Sequence, residues 1–287
     1  MCLYPRLIKN RKYIANKKNG GVIPAILDKR VLTVSAGCGK CIECKKQKCR
    51  EWQVRLNEEI RNNNKAEFVT LTFSDQSIKE LIQIINKGSE QLDGYDLDNE
   101  IATLATRRFL ERWRKKNKTS VKHWLITELG HNGTENIHMH GIIWSKNKEE
   151  IINTWKYGHV FIGTYVSEQT INYIVKYVNK IDQQHTEYNS KILCSPGIGK
   201  NYINRIDSNK NKYKENKTDE SYQTRTGLKL ALPIYYRNKI YTEEQKEKLW
   251  IEKLDKETRY ICGEKINITE NEEIYYKTLE YYRTINN

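Results

Sequence analysis

The chain has 287 residues, 38% of them hydrophobic, with a formal net charge of +14 and a mean hydropathy of −0.81. That length allows one large domain, or one domain with appendages, around a modest core. No apolar run approaches the roughly 18–20 residues that span a bilayer, and the opening MCLYPRLIKNRK lacks the apolar stretch and cleavage site of a secretory signal, so a soluble, intracellular protein is expected.

Residues 1–50 are basic, with 13 Lys/Arg against 2 Asp/Glu. They carry +11 of the charge and leave +3 to the rest. Clustering of this kind suggests an arm for a polyanion, most simply nucleic acid. AT-rich coding sequence would also raise Lys, Asn, Ile and Tyr, but it does not explain why the lysines concentrate at one end. Within this arm Val31–Val34 reads as a short strand. Residues 48–62 read as a helix, with Trp52, Leu56 and Ile60 on one face. EFVTLTF (67–73) reads as a strand, residues 76–87 as a short helix, and the acidic stretch Asp93–Asp98 as a loop.

Residues 100–116 read as a strong helix with Ala102, Ala105, Phe109 and Trp113 as its inner stripe. KHWLITE (122–128) and NIHMHGIIW (136–144) read as strands joined by a turn around Gly130–Gly133. Lys148–Trp155 is expected to be helical and His159–Thr164 a strand. Residues 168–181 should form a helix capped by Ser167. Beyond 182 periodicity fades. Residues 204–225 read as a flexible loop, Leu228–Tyr236 as a segment that packs back, 242–256 as a polar helix, and the stretch from 263 as a charged, Tyr-rich tail. The expected architecture is α+β, an antiparallel sheet with helices packed on it, on one face. A basic Cys-rich region at 1–65 precedes a core at 66–182, and a helical extension at 183–287 carries the flexible loop.

Side chains alternate along a strand, so His138 and His140 share a face. Two imidazoles at this spacing can bind one metal ion, and a carboxylate ligand suits Mg²⁺ or Mn²⁺. Glu128, on the preceding strand, is the natural third ligand if 122–128 and 136–144 form a hairpin. Half-buried strand histidines are the plainer alternative. On the helix that follows, with Ile171 at 0° and about 100° per residue, Ile174, Val175 and Val178 fall within roughly 60° of it. Tyr173 and Tyr177 then lie near 200° and 240°, and Lys176 near 140°. The aliphatic residues supply the core, which leaves two phenols and a lysine facing outward. A neutral phenol is a poor nucleophile, but a neighbouring metal ion that polarises a phosphate would let it attack, with Lys176 stabilising the charge.

These residues together resemble the HUH endonuclease superfamily. His138-Met139-His140 matches its histidine motif, and Tyr173-Ile-Val-Lys176-Tyr177 is similar to the two-tyrosine motif of its rolling-circle replication initiators. FVTLTF (68–73) and ITELG (126–130) resemble its first strand and its acidic-ligand segment. MCLYPRLIKNRKY, CGKCIECKKQKCREWQVRL, SPGIGKNYI and LPIYYRNKIY are similar to replication initiators of the Microviridae, in particular gokushovirus-like and alpavirus-like phages. The resemblance implies a metal site of Glu128, His138 and His140. It implies that one tyrosine nicks the viral strand at the origin and keeps the 5′-phosphate, and that the second closes the strand after one round. It also implies single-stranded and origin DNA as partners, host helicase and polymerase, and work in the host bacterial cytoplasm. A plasmid initiator or transposase would share the chemistry, but the N-terminal resemblance argues against it.

The chain has seven cysteines and no secretory signal, which argues for reduced thiols. Cys38, Cys41, Cys44 and Cys49 are candidate zinc ligands. Their spacing is tight, and one ligand could come from Cys2 instead. Free thiols in a DNA-contacting loop are the alternative. In either case Lys40, Lys45, Lys46, Lys48 and Arg50 are candidate phosphate contacts. A non-catalytic, zinc-stabilised nucleic-acid-binding protein would use the arm and the cysteines but leave the histidines and tyrosines without a joint role.

Overall fold

The computed structural model describes residues 2–87, 91–130, 135–163, 165–180, 184–269 and 272–286. Its elements in chain order are β1 (Arg6–Lys9), β2 (Thr33–Ala36), α1 (Ile42–Asn62), β3 (Glu67–Leu71), α2 (Asp75–Ile85), α3 (Gly94–Asn117), β4 (Lys122–Leu129) and β5 (Ile137–Trp144). There follow α4 (Lys148–Thr154), β6 (Val160–Ile162), α5 (Glu168–Asn179), β7 (Ile192–Cys194), β8 (Ser221–Gln223), β9 (Lys229–Ala231), α6 (Ile234–Ile240), α7 (Glu243–Asp255), β10 (Thr258–Ile261), β11 (Glu264–Asn267) and α8 (Glu272–Thr284). Two compact units form, one of Trp52–Tyr202 and one of Met1–Glu51 with Ile203–Asn287. This division differs from the three consecutive segments expected. The second half of α1 and the stretch around β7 fold with the sheet.

The Trp52–Tyr202 unit is α+β. Its five-stranded sheet runs β6-β3-β5-β4-β7, and every pairing is antiparallel. Period-2 alternation separates two faces. Val69, Leu71, Leu125, Leu129, Met139 and Ile143 point one way, into a core closed by Leu81 of α2, Ile101, Ala102, Ala105, Phe109 and Trp113 of α3, and Ile151 of α4. The stripe read on α3 is therefore buried as expected. Helices do not cover one face alone, however. Trp52 of α1 meets Trp124 edge-on at 5.7 Å, on the face that carries Glu128 and the histidines, and α5 packs there through buried Ile171, Ile174 and Val175. The reason is compositional: Trp124, Ile126 and Ile142 make this face apolar too, and apolar area left in water costs roughly 25 cal/mol per Å².

Close backbone approach fixes one glycine. A Cβ on Gly141 would meet the Trp124 carbonyl oxygen at 2.1 Å and the Leu125 Cα at 2.8 Å, so β4 and β5 can pair here only without a side chain.

In the other unit β1 pairs with β2, β8 with β9 and β10 with β11, each antiparallel. Three expectations change. Asp93–Asp98 is not a loop: Asp93 is the N-cap of α3 and Asp96 lies in its first turn, where a carboxylate is favoured by the helix dipole. Val31 belongs to a 3-10 turn (Lys29–Leu32), and the strand is β2. Residues 204–225 are structured rather than a loose loop. They hold a 3-10 helix (Ile206–Asn211) and β8, and fully buried Asn211 donates to the carbonyls of Asp219 and Ser221. Thr164, residue 181 and the turn at 131–133 lie outside the described residues. Among the described residues no helix is long and apolar enough to cross a membrane.

Candidate active site

The β4–β5 register places Glu128 opposite His138 and Ile126 opposite His140. The pairing puts one carboxylate and two imidazoles on the same face of adjacent strands. Oε2 of Glu128 lies 3.1 Å from His138 Nε2 and 2.9 Å from His140 Nε2. One ligand atom from each residue falls within 4.8 Å of the others, close enough for a single ion. Two imidazoles and a carboxylate form a donor set that Mg²⁺, Mn²⁺ or a softer divalent ion can use.

The surrounding contacts prepare these rings. His138 Nδ1 faces the Asn136 carbonyl at 3.4 Å. A carbonyl only accepts, so Nδ1 carries the proton and Nε2 is free to ligate. His140 Nδ1 is 3.0 Å from Thr70 Oγ1 on β3. A hydroxyl both donates and accepts, so Thr70 supports His140 with its Nε2 protonated towards Glu128 and with its Nε2 bound to a cation.

Burial disfavours a charged Glu128, but hydrogen bonds from His138, His140 and Lys180 outweigh it and hold the carboxyl well below the usual range. Lys180 Nζ sits 2.5 Å from Oε1. Lys180 is the functional residue that sequence reasoning missed. Three positions beyond Tyr177 is about 300°, so the two share a helix face. Lys176 lies about 100° away from Tyr177 and stands exposed. The lysine expected at the site is thus turned aside and another takes its place.

Helix α5 begins with a capping box between Ser167 and Thr170, as the Ser167 cap implied. Its Tyr177 ring stacks on the His140 ring, 4.6 Å between centroids and 15° apart. The Tyr177 and Tyr173 hydroxyls are 2.6 Å apart. Phe68 meets the Tyr173 ring edge-on at 6.1 Å and lies nearly parallel to His140 at 6.3 Å. Tyr173 is 49% exposed, while Tyr177 is half-buried. Burial, the hydrogen bond to Tyr173 and the Glu128 charge push the Tyr177 phenol far above its ordinary value. It is therefore a protonated nucleophile-in-waiting until positive charge enters the site. A groove lined by Phe68, Gly163, Tyr165, Gln169, Thr170 and Tyr173 runs beside the pair.

In the other unit, Cys2, Cys38, Cys41 and Cys44 bring their sulfurs within 4.8 Å of one another. Cys49 is not in this group, and Cys2 takes the place expected of it. Both Cys44 and Cys49 lie on α1, where five residues correspond to about 140° of rotation and about 7.5 Å of rise, so Cys49 faces elsewhere. Lys40 is exposed just before α1, and Lys45, Lys46, Lys48 and Arg50 lie along it. Arg50 lines a shallow pocket with Glu43, Gln47, Glu51 and Arg237.

The comparisons point to one part of this architecture. Residues 66–182 match the model of a family of replication-associated proteins, the Replication-associated protein ORF2 family. That stretch contains Glu128, both histidines and both tyrosines. The Replication-associated protein ORF2 of Spiroplasma virus 4 is 34% identical over 84 residues, which cover 27% of this chain and 26% of that protein. The chain thus aligns with about a quarter of the curated relative's length. No solved structure matches it.

Proposed function

We propose that this chain is a replication initiator of a single-stranded DNA phage of the Microviridae, an HUH-type nickase and strand transferase that opens and rejoins the viral strand at its origin. The observation that carries the reading is the stacking of Tyr177 on the His140 ring, 4.6 Å between centroids, with the Tyr173 hydroxyl in contact. It puts two phenols beside a His/His/Glu cluster. The match of residues 66–182 to replication-associated proteins supports the same reading.

Glu128, His138 and His140 would hold the divalent ion, Mg²⁺ or Mn²⁺. Bound there, it supplies positive charge against the non-bridging oxygens of the scissile phosphate. Single-stranded DNA lies along the aromatic groove beside Tyr173, where bases stack on rings without sequence preference. A deprotonated tyrosine oxygen attacks phosphorus, its proton having passed to solvent. The bond from phosphorus to the 3′ oxygen breaks, and that oxygen takes up a proton and leaves as a 3′-hydroxyl. The 5′-phosphate stays on the tyrosine. The second phenol donates to its neighbour's oxygen and so favours the charged form. After one round it attacks in turn, and reversal of the chemistry closes the strand without ATP.

Lys180 offsets Glu128, and exposed Lys176 meets the incoming phosphates. Lys40, Lys45, Lys46, Lys48 and Arg50 contact the backbone elsewhere on the DNA. The reaction takes place in the host bacterial cytoplasm, where host helicase and polymerase extend the 3′-hydroxyl. The test is to incubate the full chain with single-stranded DNA bearing the phage origin, with Mn²⁺ or EDTA. A protein–DNA adduct that survives denaturation and needs the metal is expected. Absence of any adduct on the correct origin would overturn the reading.

A further inference from the structure

We propose that Cys2, Cys38, Cys41 and Cys44 form a structural zinc site that anchors the basic N-terminal arm. The four sulfurs lie within 4.8 Å of one another, and the Cys2 and Cys41 sulfurs are 3.8 Å apart. That separation is too long for a disulfide. A tetrahedral ion with Zn–S bonds of about 2.3 Å sets its sulfurs about 3.8 Å apart, so the observed spacing is that of ligands around one ion. A four-iron cluster binds each thiolate to a different iron and needs them spread wider.

The backbone is arranged for thiolates. Cys38 N–H donates to the Cys2 sulfur at 3.2 Å, Cys41 N–H to the Cys38 sulfur at 3.2 Å, and Leu3 N–H to the Cys41 sulfur at 3.5 Å. Gly39 N–H donates to the Cys44 sulfur. Each sulfur thus accepts a backbone hydrogen bond. Cys44 also sits in the first turn of α1, where the helix dipole favours negative charge. A Cβ on Gly37 would come within 3.1 Å of the Cys44 sulfur, so a side chain there would crowd the ligand.

The fourth ligand explains what the site does. Cys2 and Cys38 bracket β1, β2 and eight of the arm's cations: Arg6, Lys9, Arg11, Lys12, Lys17, Lys18, Lys29 and Arg30. Leu3, next to Cys2, is buried with Ile261, Ile266 and Leu279, and Cys41 packs against the same cluster. One ion therefore closes a long loop and ties it to α8 and the β10–β11 hairpin. On binding, the thiols release their protons to solvent and the ion takes the freed sulfur lone pairs.

The test uses the full chain, purified under reductant. About one zinc per chain should be held by the cysteines. Replacing zinc by Co²⁺ should produce the intense thiolate-to-cobalt charge-transfer absorption. The histidine cluster has no sulfur, so this band reports the cysteines alone, whatever becomes of the nickase reading. Cys2→Ser should abolish the band, and Cys49→Ser should leave it unchanged. Cys2→His should keep a bound ion with a weaker band, which covers the case in which the serine variant fails to fold. Chelation of the native protein should expose Arg6–Arg30 to trypsin. The proposal is overturned if the reduced native chain gives no band, if Cys49→Ser loses the ion as Cys2→Ser does, or if the purified protein carries iron with visible absorption in place of zinc.

Discussion

The Lys180 ammonium lies 2.5 Å from Oε1 of Glu128, the carboxylate whose other oxygen faces both histidines. A cation entering between Glu128, His138 and His140 must share that carboxylate with the lysine. Lys180→Met should therefore tighten equilibrium binding of Mn²⁺. The pair is partly exposed, so screening limits the gain to at most about 1 kcal/mol, roughly fivefold. Calorimetric titration of the two proteins checks this, and weaker binding in the variant would show that Lys180 supports the site rather than competing for it.

Thr70 touches no ligand position directly, yet its hydroxyl is 3.0 Å from His140 Nδ1. Outer partners of this kind typically contribute about 10–100-fold in metal affinity. Thr70→Val keeps the shape and the β-propensity of the residue. It should lower Mn²⁺ affinity by that factor while leaving the urea midpoint nearly unchanged. An unaltered titration would mean the ring is oriented by packing alone.

Gly141 tests the hairpin that makes the site. A Cβ there meets backbone at 2.1 Å, and backbone in the middle of a sheet cannot step aside as a side-chain end can. Gly141→Ala should cost about 1–3 kcal/mol, the usual scale for overpacking, read as a lower urea midpoint. Unchanged stability would imply that β4 and β5 pair more loosely than described.

His123 gives the fold a pH dependence. Burial lowers its pKa, against a hydrogen bond to the Val121 carbonyl that raises it, and its Nδ1 is 3.0 Å from Ser195 Oγ. The folded state thus favours the neutral ring, while the unfolded chain takes a proton near about pH 6.5. Its contribution is fully present above that pH and is lost as pH falls towards the lower folded value. The wild-type urea midpoint should drop more between pH 7.5 and 5.5 than that of His123→Gln. Parallel drops would remove His123 from the account.

The sequence made the site's local part legible. Alternation in NIHMHGIIW fixed the shared face of His138 and His140, and the short span between the two strands placed Glu128 opposite His138. Helical geometry put Ile171, Ile174 and Val175 inward and left Tyr173 and Tyr177 outward, as found. What escaped depends on contacts distant in sequence or on hydrogen bonds without a period. Cys2 reaches the cysteine group across 36 residues, which spacing within 38–49 cannot reveal. Asn211 orders its neighbourhood through side-chain bonds to Asp219 and Ser221 carbonyls, and such bonds leave no hydrophobic pattern. Lys180 was readable in principle, since Tyr-x3-Tyr-x2-Lys places all three on one face. Adjacency to Tyr177 drew attention to Lys176 instead. The acidic start of α3 resembled a loop because Asp and Gly favour turns, although the same carboxylates suit a helix N-terminus.

The most direct measurement is the denaturing-gel adduct assay run on wild type, Tyr173→Phe, Tyr177→Phe and the double variant, with origin DNA and Mn²⁺. With hydroxyls 2.6 Å apart beside one metal cluster, either phenol should reach the phosphorus. The expected result is a metal-dependent adduct in wild type and in each single variant, and none in the double variant. An adduct that persists in the double variant would contradict the account, because the nucleophile would then lie outside this tyrosine pair.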